Sequence, residues 1–268
     1  MLHLVLALGL CLAPLAQKPA PPDPERVKAV VTGLERALKS GSKEEKSKAI
    51  QACAEVADTD VAKALGRGIA DKELEIQRSS IEALRWMEHP EALEQLHGAA
   101  RTRKELRKEP TVFTALLRAI GQHGNPKSIE ILEDDVWAVV EAGVVEARIL
   151  GLGNIRDKRS VEALMGLMKV AGPHRIQNVM PSFRLALARL TGVDKGQSQQ
   201  MWQDWWNDNK AKFSVAEKPA ELARELQFRW DSYWGKERPY ERMKKRGERG
   251  KGDPEKEGEP RKGGEKGG

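Results

Sequence analysis

Cysteine is nearly absent from this 268-residue chain: Cys11 and Cys53 are the only two. If the first residues are removed as a leader, Cys53 stands alone, no internal disulfide can form, and stability must come from side-chain burial. Aromatics are also scarce outside one region, with two Tyr and four Phe, whereas Ala, Leu, Glu, Lys and Arg dominate. That balance favours helix over strand at almost every exposed position. An all-α fold follows. The uncharged apolar run at the start, residues 1–17, is shorter than the roughly 20 residues a bilayer-spanning helix needs, so a transmembrane helix is not expected in the mature chain. A marked excess of one sign of charge is missing from the body as well. The formal net charge is +6, but residues 236–268 hold twelve Lys/Arg against eight Asp/Glu, so +4 of the excess lies there. A body of mixed charge argues against the concentrated basic face of a nucleic-acid binder.

Catalytic patterns are missing too. No phosphate loop of the form G-x-x-x-x-G-K and no Gly-x-Ser-x-Gly elbow occurs. Of the histidines His3, His89, His97, His123 and His174, only His97 has a carboxylate one turn away, Glu94. One pair does not make a metal site, and the expectation is two polar residues on a solvated helix face. Cys53 sits in Ala49–Ala54, an apolar helical context without a basic neighbour to lower its pKa, and reads as inert core. The chain is therefore expected to be non-catalytic and to use no cofactor or metal.

What is present is a repeat. Asp23-Pro24-Glu25 supplies an N-cap residue, a proline at the first helical position and an acid in the first turn. The same punctuation returns as His89-Pro90-Glu91 and Asn125-Pro126-Lys127, and as Asp157-Lys158 without the proline. Each is followed by an apolar anchor four residues after the cap: Val27, Leu93, Ile129 and Val161, with Val61 filling the gap. The anchors are 34, 32, 36 and 32 residues apart, a spacing that signals stacked helical units. Around them Ser128-Ile129-Glu130-Ile131-Leu132 parallels Ser160-Val161-Glu162-Ala163-Leu164, and Gly121 and Gly153 precede them at the same offset. Each unit reads as a first helix opening at the anchor, a turn, and a second helix such as Ser80–Leu84 or Ala115–Ile120, with apolar residues at helical spacing burying one face on the neighbours. Ser42 with Glu45 forms a capping box for the second helix of the first pair. Five pairs fit between Pro24 and Gly192.

The stretch Asn125–Leu132, following an Ala-Ile-Gly helix end, resembles the HEAT family, in particular the short bacterial HEAT-like repeats. The resemblance covers residues 24–192 and implies an α-α solenoid with extended concave faces that hold other macromolecules. The Trp/Leu-Gly/Tyr pattern of tetratricopeptides and the Thr-Pro-Leu-His of ankyrins are absent. HEAT-type solenoids include a di-iron hydroxylase that uses His-Glu dipeptides, and this chain has none. Phycobilin lyases form a second enzymatic branch, whose chromophore an exported chain would not meet. The segment from Leu190-Thr191-Gly192 through Met201–Trp206 to Asn209–Phe213 is similar to the closing segment of exported bacterial HEAT-repeat proteins.

The expected organisation is a signal peptide over 1–17, cleaved near Ala16 or Gln17; a linker over 18–23; the solenoid over 24–192; a Trp-rich helical cap and extension over 193–243, with a further helix from Pro219 to Gly235; and a disordered basic Gly/Lys/Glu tail over 244–268. No Lys or Arg precedes the leader's apolar run, and Pro14 stands at minus three to a cleavage after Ala16. Leu10 is too large just before Cys11 for a lipoprotein site, so lipidation is not expected.

Five of the seven tryptophans, Trp202, Trp205, Trp206, Trp230 and Trp234, fall in the C-terminal segment. Trp202, Trp205 and Trp206 share one helix face. Two uses fit them: covering the open end of the last pair, or offering an aromatic surface to a partner. Arg78, Arg85, Arg118 and Arg184 lie on second helices and are the candidate polar contacts. The partner is expected to be another protein, held by a scaffold exported to the periplasm or beyond. Nucleic acid gripped by the basic residues of body and tail, as HEAT-like alkylpurine DNA glycosylases do, is the alternative.

Overall fold

The computed structural model describes residues 21–138 and 141–235. The leader and the basic tail lie outside the described residues. Among the described residues there are twelve α-helices, two 3-10 turns and no strand. The helices form five pairs: α1 (Pro24–Ser40) with α2 (Lys43–Ala54), α3 (Thr59–Gly68) with α4 (Leu74–Trp86), α5 (Pro90–Thr102) with α6 (Pro110–Gln122), α7 (Ile129–Glu133) with α8 (Ala142–Asn154), and α9 (Lys158–Val170) with α10 (Pro173–Thr191). First helices stack in the order α1, α3, α5, α7, α9, and second helices in the order α2, α4, α6, α8, α10. Two parallel rows joined by short turns make an α-α solenoid.

The helix starts follow the caps in the sequence. The side chains of Asp23, His89, Asn125 and Asp157 each accept a hydrogen bond from the backbone amide two residues on, and Asp58 does the same ahead of Val61. At Ser42 both halves of the capping box are made: the Ser42 amide donates to Glu45 at 2.7 Å, and the Glu45 amide donates to the Ser42 hydroxyl at 3.3 Å. Such caps satisfy amides that the helix itself cannot, each worth about 1 kcal/mol. Among the anchors, Val61, Leu93, Ile129 and Val161 are buried, and Val27, on the first pair, is half-buried.

The two repeated glycines mark where second helices come closest. A Cβ on Gly121 of α6 would lie 2.5 Å from the Gly151 Cα of α8, and one on Gly153 would lie 2.6 Å from the Ala186 Cβ of α10. Hydrogen in place of a side chain lets these backbones touch. At the other end of the array a buried ion network ties the first pair to the second. Lys46 donates to Asp71 at 2.9 Å and Glu73 at 3.1 Å, with Lys46 and Asp71 each only 5% exposed at the side chain.

Three local expectations are corrected. The fourth first-helix is not a full helix: a 3-10 turn at Pro126–Ser128 leads into the single short α7, which ends where Asp134 and Asp135 follow and Asp135 adopts φ 50°. Arg148 of α8 replaces the missing helical partners by donating to the carbonyls of Ile131 at 2.7 Å and Leu132 at 3.2 Å. His97 is buried at 2% exposure and bonded to the Ser128 hydroxyl at 2.9 Å, because it shares the inward face of α5 with Leu93, Leu96 and Ala100. The last helix, α12, starts at Arg224 rather than Pro219. The carbonyls of residues 216–218 and 220 before it are taken by Arg156 and Arg189.

Candidate binding surfaces

The C-terminal segment closes the array and then turns back along it. Helix α11 (Gln199–Asn209) continues the first-helix row by lying on α9, where Gln199 and Gln203 donate to the carbonyls of Met168 and Met165. Trp202 is fully buried with its indole N–H donating to the Gly196 carbonyl at 3.0 Å, and Trp206 is buried beside it. Trp205 is half-buried, and Phe213 meets Trp205 and Trp206 edge-on at 5.7 and 5.8 Å. The face shared by the three indoles is thus turned into the protein, and Trp205 alone keeps appreciable surface.

From Lys210 to Ala223 the chain is irregular and is held by cations. Lys158 donates to the Lys210 carbonyl, Arg156 spans the successive carbonyls of Ala216, Glu217 and Lys218, and Arg189 reaches the Ala220 carbonyl at 2.6 Å. Helix α12 (Arg224–Trp234) then lies against the second-helix row, meeting Arg85 of α4, Arg118 and Gly121 of α6 and Arg189 of α10. Its apolar stripe Leu226, Trp230 and Trp234 recurs every four residues and is buried, while Phe228 points away at 72% exposure. Trp230 stacks under the Arg189 guanidinium at 5.5 Å, and a Cβ on Gly121 would meet the Trp234 ring at 3.2 Å.

At the far end of α12 two of the candidate arginines converge. Arg118 donates to the Tyr233 carbonyl and lies over the Tyr233 ring at 5.0 Å. Arg85 donates to the Trp234 carbonyl, to Gln122 at 3.1 Å and to Glu82 at 3.0 Å. These carbonyls belong to the last turn of α12, which carries the negative end of the helix dipole and has no intrahelical donors left. Burial is the largest influence on the Arg85 guanidinium and pushes its pKa down, with Glu82 working against it and Arg118 adding to it. Burial likewise holds the Tyr233 phenol well above its ordinary value. Among the described residues, four buried polar atoms in this corner have no partner: Arg85 Nε, Arg118 Nε, the Tyr233 hydroxyl and the Trp234 indole N–H.

The remaining candidates are placed differently. Arg78 is exposed on α4. Arg184 is locked to Asp194 by two bonds at 2.6 and 2.8 Å, which raise the Arg184 pKa and hold the Asp194 carboxyl below the ordinary range. Arg85, Arg118 and Trp234 therefore meet in one corner, with Trp230 one turn back beneath Arg189, and Arg78, Arg184 and the Trp202 cluster lie apart from it. Arg156 and Arg189, which pin the returning segment, were not among the residues selected from the sequence. No local spacing could have selected them, since their partners lie 31 to 62 residues away.

On the opposite row, the shortness of α7 leaves a cleft of about 620 Å³ between it and α9, lined by Glu130, Glu133, Glu162, Leu167 and Val170. Burial, followed by the neighbouring Glu130 charge, pushes the Glu133 carboxyl up. Among the described residues no three of His, Cys, Asp and Glu stand close enough to hold a metal ion, and no helix is long and apolar enough to cross a membrane.

The family model of HEAT repeats matches residues 31–111, from within α1 to the opening of α6. The pairs beyond that stretch continue the same two rows. No curated protein matches the chain.

Proposed function

We propose that the chain is a non-catalytic scaffold of the cell envelope that holds another protein on its second-helix face. HEAT repeats in general mediate protein interactions as scaffolds. The observation that carries the reading is that this face already receives a helix, α12, the face's own guanidinium groups meeting the rings and the last carbonyls of that helix. The leader-like residues 1–17 support export, and the +2 left to residues 1–235 once the tail's +4 is set aside supports protein over nucleic acid as the partner.

Two measurements test this. The intact mass and cell fraction of the untagged protein from its native host read export directly: recovery outside the cytoplasm, shortened by about sixteen or seventeen residues, supports it, and full-length cytoplasmic protein overturns it. Capture by the immobilised full chain should yield a partner that survives nuclease and is lost on combining Arg78→Glu with Arg184→Glu, with the fold checked by circular dichroism. Capture that is abolished by nuclease and falls steeply with salt would place nucleic-acid binding first.

A further inference from the structure

Among the described residues, the corner where α12 ends holds more cationic donors than carboxylates to meet them. Arg85 is 4% exposed, and it and Arg118 meet helix carbonyls there, which are neutral acceptors. Among the described residues Arg118 makes no ion pair with a carboxylate, and Glu82 is the one carboxylate paired with Arg85. Among the described residues each guanidinium keeps a buried Nε–H without an acceptor, and the Tyr233 hydroxyl and Trp234 indole N–H beside them are equally unmatched. Four of the ten such atoms among the described residues gather in this one corner. A carboxylate offers a guanidinium an opposite charge and two acceptor oxygens for parallel hydrogen bonds, which a single neutral carbonyl does not. Helix α12 also arrives on an irregular fourteen-residue segment, 210–223, so it docks as a separate piece rather than as a step of the solenoid.

We propose that this groove is a receptor for a partner protein's amphipathic helix carrying aromatic residues four apart and ending in a carboxylate at the Arg85–Arg118 corner, with α12 as its resident, neutral-ended occupant. The proposal rests on the scaffold reading and names the partner's chemistry. Helix α12 itself supplies the template: Leu226, Trp230 and Trp234 fill the groove, and its last carbonyls mark where the carboxylate sits. A partner displaces α12 because its terminal charge satisfies guanidinium donors that a neutral carbonyl leaves open.

The probes are two labelled peptides of residues 219–234, one with a free carboxylate at Trp234 and one amidated there. The receptor is the full chain carrying Ser232→Pro, which breaks α12 at an exposed position outside the groove. The carboxylate peptide is expected to bind it at least about tenfold tighter than the amide, and Arg118→Gln in the same background is expected to shrink that ratio. The unaltered chain should bind either peptide at least about tenfold more weakly, because its own α12 competes at an effective concentration on the order of millimolar. Hydrogen exchange on the unaltered chain is the second readout and does not depend on a variant folding. Excess carboxylate peptide should speed exchange in residues 224–234 while slowing it in 74–86 and 110–122. Equal binding of the two peptides, or α12 amides that stay as protected as α6 under saturating peptide, overturns the proposal. If neither peptide binds while capture by the unaltered chain stays sensitive to Arg78→Glu with Arg184→Glu, the scaffold reading survives and only this groove assignment falls.

Discussion

The same substitution, glycine to alanine inside a helix, should change stability in opposite directions along this chain. At Gly98 of α5 and Gly166 of α9 an added Cβ meets nothing within 4 Å, so only the backbone effect operates. Alanine there restricts the unfolded chain and is expected to gain about 0.5–1 kcal/mol. For a chain of this size that raises Tm by roughly 1–4 °C. At Gly153 the same Cβ would stand 2.6 Å from the Ala186 Cβ and 2.7 Å from its Cα. Both contacts are far inside van der Waals range, and neither neighbour has a flexible end that could swing away. Forcing an extra carbon into a close-packed interface costs about 1–3 kcal/mol, and here the upper part of that range applies, since α8 and α10 must separate. After subtracting the helix-propensity gain, the net loss is roughly 1–2 kcal/mol, a Tm lowered by about 2–8 °C. Gly121→Ala should fall at least as far, because it meets the α8 backbone at Gly151 and also the Trp234 ring. Thermal unfolding of the four single variants by circular dichroism checks the pattern. Stabilisation at Gly153 equal to that at Gly166 would refute the reasoning that the second helices touch backbone to backbone.

Removing Arg148 should expose the weakness of the shortened fourth pair. Arg148→Ala leaves the carbonyls of Ile131 and Leu132 without donors, each a loss of about 1–3 kcal/mol, partly offset because a charged group no longer has to be buried; a net loss of roughly 2–3 kcal/mol lowers Tm by about 4–12 °C, with faster hydrogen exchange centred on residues 126–133. Burial alone pushes the Cys53 thiol up to about 12, so a thiol reagent at pH 8 should leave it unmodified in the folded protein and label it once denaturant is added. Asp71 gives a pH test. Burial works to raise its carboxyl, but the Lys46 ammonium and the Glu73 amide outweigh that and hold it below the ordinary value. Its contribution is therefore fully present above about pH 4 and is lost as pH falls through the lowered folded value. The Tm difference between the native chain and Asp71→Asn should narrow between pH 5 and about pH 2, and a constant difference would contradict the assignment.

Features fixed by neighbours in the chain were legible before the structure. The caps at Asp23, Ser42, His89, Asn125 and Asp157 act within two or three residues, so their side-chain oxygens or ring nitrogen announce the helix starts directly. The recurrence of Gly121 and Gly153 was visible as texture, but its reason, contact between successive second helices, needs the stacking order. His97 was misplaced because a histidine beside Glu94 reads as polar, although its position four residues after Leu93 puts it inward, where Ser128 of the next pair supplies a partner. The path of α12 could not be read at all. Its stripe of Leu226, Trp230 and Trp234 shows that it must bury one face, yet that stripe fits many grooves. The groove it takes is specified by arginines 115 and 149 residues earlier in the chain.

Those arginines belong to a wider pattern that bears on function. Arg85, Arg118, Arg148, Arg156, Arg175 and Arg189 all donate to backbone carbonyls. The carbonyls belong to irregular or terminal segments: the end of α7, the turn at Trp137, residues 216–220 and the last turn of α12. These are the places where a helix cannot satisfy its own acceptors. A planar guanidinium with five donors can bridge neighbouring carbonyls, as Arg156 bridges Ala216 to Lys218, whereas a lysine ammonium acts as a single point. Much of the body's arginine is thus engaged in holding the chain to itself, which removes it from any phosphate-gripping face. The same logic makes the attachment of the C-terminal segment conditional. A helix held at its end by cations donating to neutral carbonyls is one that an arriving carboxylate can replace, whereas the Trp202 cluster, buried with its indole bonded to Gly196, offers no such entry.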